Sequence, residues 1–148
     1  MDTVLAVPEI QQLHSECLNL LHRSRDAILL SWQNQVEAAA VLPFGGAALQ
    51  AWLAKYLDAF IQEEDQDRVR ASDEIFYQFA SAVISAGAPV SAATETILWL
   101  SHAVETLESA KNCSEQRRDC LSGLIMRRMA HNLTSYVENL SKESDRRQ

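Results

Sequence analysis

Leu49, Trp52, Leu53, Tyr56, Leu57, Phe60 and Ile61 recur at intervals of one, three and four residues, the spacing that gathers side chains on one side of an α-helix. The stretch ALQAWLAKYLDAFI therefore predicts an amphipathic helix, apolar along one stripe and polar elsewhere. The same period governs most of the chain. Ile10, Leu13, Cys17, Leu20, Leu21, Ile28, Trp32 and Val36 share a side if a single helix runs from about Glu9 to Val41, bent near Arg23. Val69, Phe76, Phe79, Ala80, Val83 and Ile84 predict another helix, and Ala93, Ile97, Leu100, Val104 and Leu107 the one after it. Leu121, Ile125, Met129, Leu133, Tyr136, Val137 and Leu140 predict a long last one. Nothing reads as a strand.

Breaks fall between these stripes. Pro43 with Gly45 and Gly46 interrupts LPFGG at 42–46. In AGAPVS at 86–91, Gly87 is placed as a helix C-cap, followed by Pro89 and by Ser91 as the next N-cap. KNCS at 111–114 offers Asn112 as a cap and Ser114 as a start, and the acidic QEEDQD at 62–67 is expected to be a turn. Five to six helices joined by short turns must bury their stripes against one another. The expectation is a single all-α domain over residues 1–148, either a bundle or a globin-like helical sandwich. SKESDRRQ at 141–148 is expected to be a polar tail or the start of a linker.

A chain of 148 residues can bury well over half of its unfolded surface without disulfides or metals. Its longest apolar runs, AAAVL and ILWL, fall far short of the roughly 20 residues that cross a bilayer. The N-terminus lacks the basic start and apolar core of a signal peptide, so no membrane association is expected. A formal charge of −7 argues against nucleic acid, which demands a concentrated basic patch. The pairs Arg117-Arg118, Arg127-Arg128 and Arg146-Arg147 lie among acidic neighbours and read as solvated faces. Cys17, Cys113 and Cys120 match no zinc spacing, which leaves reduced thiols in a cytoplasmic protein as the expectation.

Candidate chemistry is sparse. His102 stands in an apolar helix of a globin-length chain and invites a reading as a haem ligand. At about 100° per residue, however, it lies about half a turn of the wheel from Ile97, Leu100 and Val104, on the side of Glu95 and Thr106. His131 and His22 also fall off their stripes, and His14 lies nearer an edge. No metal ligand is assigned. Glu63, Glu64, Asp65 and Asp67 read as solvated acids, and Ser24, Ser31, Ser101 and Ser135 lack a partner base and default to surface or back-bonding roles. No catalytic residue is assigned, and an enzyme is not expected.

What the stripes leave over is apolar surface. Leu98 and Trp99 fall outside the sector of their helix, so that helix is either central or covered by a partner. Leu133, Tyr136, Val137 and Leu140 carry the last stripe almost to the C-terminus. These six residues are the candidates for an interface, and the helices at 9–41 and 114–141 are its expected carriers, in a homodimer or against a signalling partner.

LHRSRDAILLSWQNQV at 21–36, with its apolar pair and Trp, resembles the helix that opens the N-terminal domain of the RsbT co-antagonist proteins of bacterial stressosomes. LQAWLAKYLDAFI follows a Pro/Gly break as it does there, and ISAGAPVSAATETILWLSHAVETL is similar to that family's Gly-containing turn and the helix it enters. The similarity is one of pattern and covers roughly residues 15–140. It implies a non-haem globin-like fold, the former haem space closed by side chains such as Trp32, Trp52, Phe60, Phe76 and Phe79. It further implies a dimeric sensory or interaction module, without cofactor, that regulates an output domain. Those 148 residues hold no output domain, so the expectation divides between a part of a larger protein and a stand-alone regulator. The alternative is a globin-type sensor that holds haem or a fatty acid.

Overall fold

The computed structural model describes residues 7–66, 71–110 and 115–147, and among them every element is helical. In chain order these are α1 (Val7–Arg23), α2 (Arg25–Ala39), α3 (Gly46–Gln66), α4 (Ala71–Ser85), α5 (Val90–Ala110) and α6 (Glu115–Arg147). The predicted all-α class is the observed one.

The single helix expected over 9–41 is two helices divided at Ser24, one residue from the predicted bend. Ser24 leaves helical geometry (φ −101°, ψ 10°), yet its N–H still reaches the Leu20 carbonyl at 2.9 Å and its own carbonyl accepts from Ile28 at 2.8 Å. The ladder thus survives on both sides of a kink. Ser24 is buried at this junction, and so is Ser101; of the two roles expected for them, surface or back-bonding, the surface one does not hold.

α2 stops at Ala39, two residues before the expected end, because Ala40 turns into the left-handed region (φ 52°) and its N–H bonds the Glu37 carbonyl. Gly46 then takes a positive φ of 63°, which glycine adopts without the Cβ clash other residues suffer. The Glu37 carboxylate reaches across this loop, accepting from the Gly46 N–H at 2.8 Å and from Gln33 Nε2 at 3.1 Å. It so holds the exposed N-terminus of α3 to α2.

Those two hydrogen bonds, the one from Gly46 first, hold the Glu37 carboxyl below its ordinary value of 4.5. A depressed folded-state value means stabilisation that is complete above the ordinary value and lost as pH falls below it. Melting temperature measured against pH should therefore separate wild type from Glu37→Gln at neutral pH, and the gap should close in acid. A gap independent of pH would assign the loop contact to shape alone.

At the other predicted break, Gly87 has φ 96°. Its N–H bonds the Ile84 carbonyl and the Ala88 N–H the Val83 carbonyl, the paired bonds of a Schellman C-cap. α5 then begins at Val90, so Ser91 lies inside the helix and is not its N-cap. The acidic stretch at 62–67 is helical through Gln66 where a turn was expected, because α3 continues beyond its apolar stripe. Asp67, Val69 and the break at 111–114 lie outside the described residues. SKESDRRQ, expected as a polar tail or the start of a linker, is helical to Arg147 as the end of α6.

One apolar cluster runs through all six helices. α5 lies at its centre, against α2, α4 and α6, while α3 packs on α2 and α4, and α1 on α6 and α3. Ala92, Ala93, Thr96 and Ala103 are buried along α5, and these small side chains let three neighbours approach one helix closely. Trp32 of α2 is fully buried; its Nε1–H donates to the Thr96 carbonyl at 2.7 Å and its ring meets Tyr56 edge-on at 6.1 Å. Phe60 and Phe76 are also fully buried, Phe79 is buried, and Trp52 is half-buried against Phe79.

Candidate interaction surface

The six predicted interface residues separate into three kinds of site. Leu98 (39% exposed), Val137 (57%) and Leu140 (43%) face solvent. Leu133 and Trp99 are half-buried; Trp99 packs on the core and meets the His102 ring edge-on at 5.4 Å. Tyr136, at 5% exposure, belongs to the interior. It stands edge-on to Phe76 and tilted on Tyr77, so α4 of its own chain covers it, and it is withdrawn from the surface set.

The structure adds Met126 and Ala130, both exposed. With Leu133, Val137 and Leu140 they follow one another at steps of four, three, four and three residues. That 3.5-residue spacing keeps them within about 80° on the helix wheel. The signal is in the sequence, but Met126 lies off the core stripe through Ile125 and Met129 and is not among the residues assigned to that stripe. Leu98 flanks the same strip: α5 and α6 run antiparallel with Ser101 and Ser122 hydroxyls 3.4 Å apart, which brings Leu98 level with Ile125 and Met126. Counted from that contact, the start of α5 at Val90 is level with Leu133. The last turns of α6, with Val137 and Leu140, therefore project past the end of α5. Tyr77 of α4 reaches this projecting part through a hydrogen bond to Glu143.

On the inner side of α6 lies a polar junction that the periodicity did not reveal. Asn132, fully buried, accepts from the Tyr56 hydroxyl at 2.5 Å and donates to Ser72 Oγ at 3.1 Å and to Asp73 Oδ1 at 2.7 Å. His131 Nδ1 stands 3.1 Å from the same Asp73 oxygen. One turn earlier, the buried Arg128 guanidinium lies over the Phe60 ring at 5.8 Å, a cation–π contact. Together these side chains tie α6 to α3 and α4 on the side away from the outward strip.

Other places suited to chemistry offer less. His102 is exposed, as its wheel position predicted, and Thr106 caps its carbonyl at 2.9 Å. The core hollow between Trp32, Trp52, Tyr56, Ile75, Phe79 and Ile97 measures about 10 Å³, whereas pockets for small organic ligands run to about 300–1,000 Å³. A wider open furrow between α1 and α6 is lined by Glu16, Asn19, His22, Arg23 and Arg117. Arg117 bonds Glu16 across it at 3.2 Å, so acid and base answer each other there. Among the described residues no three His, Cys, Asp or Glu side chains converge on a metal position, and no helix is long and apolar enough to cross a membrane. The side chains of Glu63, Glu64, Asp65 and Asp67 lie outside the described set.

Compared with family models, with curated proteins and with solved structures, the chain matches none.

Proposed function

We propose that this chain is a non-enzymatic bacterial signalling domain of the cytoplasm, a dimerising sensory or protein-interaction module that regulates an output domain or a partner protein. The observation that carries the reading is the outward apolar strip of Met126, Ala130, Leu133, Val137 and Leu140, joined by Leu98. Scattered apolar residues are ordinary on a protein surface, but a contiguous strip at heptad spacing favours a helical partner. The resemblance to the N-terminal domains of RsbT co-antagonist proteins rests on sequence pattern and points the same way, towards a globin-like sandwich without haem. The small interior hollow and the outward-facing His102 weigh against the alternative of a haem or fatty-acid sensor.

Signalling by such a module needs two arrangements of the dimer, or of α6, that differ by a few kcal/mol and are biased by a ligand or partner. The dimer is tested by light scattering at micromolar to high-micromolar concentration. A mass of twice the 16.6 kDa chain is expected, falling towards one chain mass in Val137→Asp/Leu140→Asp. A strict monomer throughout overturns the dimeric reading.

A further inference from the structure

The geometry points to one occupant of the α6 strip: we propose that a second copy of this chain lies on it with its α6 antiparallel and centred on Leu133. The inference rests on the dimeric reading above and adds the direction, register and contacts of the pair.

The exposed apolar positions are arranged about Leu133 almost symmetrically. Met126 lies seven residues before it and Leu140 seven after; Ala130 lies three before and Val137 four after. A two-fold axis perpendicular to α6 at Leu133 therefore sets Met126 against the partner's Leu140, Ala130 within one residue of the level of the partner's Val137, and Leu133 against its own copy. A surface that complements itself in this way is what an isologous two-fold contact requires.

Charge selects the same direction. Arg127 and Glu138 are both exposed and share one flank of the strip, about 20° apart on the wheel. In an antiparallel pair like flanks meet, and the register about Leu133 brings Arg127 within one residue of the level of the partner's Glu138, twice over by symmetry. In a parallel pair opposite flanks meet, and Arg127 instead faces the flank of Ser122, Met129 and Tyr136, where no acid is level with it. The antiparallel arrangement also covers the part of α6 that outruns α5. There the partner's Leu98 and Met126 meet Val137 and Leu140, which no α5 of their own chain flanks.

Cysteine cross-linking with a short bis-maleimide reads this register directly. The full chain carries Cys113→Ser and Cys120→Ser, and Cys17 is fully buried. Leu133→Cys should cross-link to itself. Met126→Cys mixed with Leu140→Cys should give the mixed product, while neither links to its own copy, because antiparallel pairing holds like positions about 20 Å apart. Arg127→Glu or Glu138→Arg alone should weaken dimerisation several-fold, and the two together should restore it. Self-linking of Leu140→Cys, or a dimer by light scattering that yields no mixed product, overturns the antiparallel register and leaves the dimer standing. A monomer at every concentration overturns both.

Discussion

Trp32→Ala should be the most damaging single truncation in the chain, removing about 3–5 kcal/mol. Trp32 is fully buried where α2, α3 and α5 meet, so truncation removes packing from three helices at once. The loss has two parts that can be measured separately. Trp32→Phe keeps most of the ring volume but takes away the Nε1–H that donates to the Thr96 carbonyl at 2.7 Å, and should cost about 1–2 kcal/mol. Alanine adds the cavity. Chemical denaturation of the two variants gives both values. For a domain of this size each kcal/mol corresponds to roughly 2–4 °C in melting temperature, so the alanine variant should melt about 6–20 °C below wild type. Equal losses for Phe and Ala would mean that the hydrogen bond, and not packing, makes the site sensitive. Because domains are stable by only about 5–15 kcal/mol, the alanine variant should also yield less folded protein.

Asn132→Ala should follow closely, at about 2–4 kcal/mol, although asparagine is an ordinary surface residue on a helix. It removes three hydrogen bonds at once from the interior, and buried polar groups deprived of their partners retain their desolvation cost. Pairing Asn132→Leu with Tyr56→Phe provides the check. If the 2.5 Å bond between them couples α3 to α6, the double variant should be less destabilised than the sum of the singles. Strict additivity would show that the two residues act independently, and the junction would then be three separate contacts.

The contrast between these residues shows where sequence reasoning reached and where it stopped. Trp32 lies on an apolar stripe, so its burial was legible from its spacing to Ile28 and Val36. Asn132 and Arg128 lie on a helix whose apolar stripe runs beside them, and nothing in a polar residue type announces that neighbouring helices supply its partners. Tyr136 failed in the opposite sense. Its position among Leu133, Val137 and Leu140 was correct, but an apolar stripe does not say whether its cover is α4 of the same chain or a second chain. Only the edge-on Phe76 ring decides that.

Leu98 and Trp99 divide in the same way. Adjacent residues stand about 100° apart on a helix, so their shared departure from the core sector concealed two destinations, the open ridge beside α6 for Leu98 and the core margin for Trp99.

By itself the sequence determined the all-α class, five of the helical stripes, the breaks at Pro43 to Gly46 and at Gly87, the kink near Arg23 and the outward direction of His102. Each depends on interactions within a few residues: the 3.6-residue period, the conformational freedom of glycine and the geometry of caps. The tertiary structure decided that α5 is central, that Asn132 joins three helices, that Tyr136 is internal and that Met126 belongs to the exposed strip. These depend on contacts between residues about 20 to 80 positions apart along the chain, whose pairing a local period does not encode.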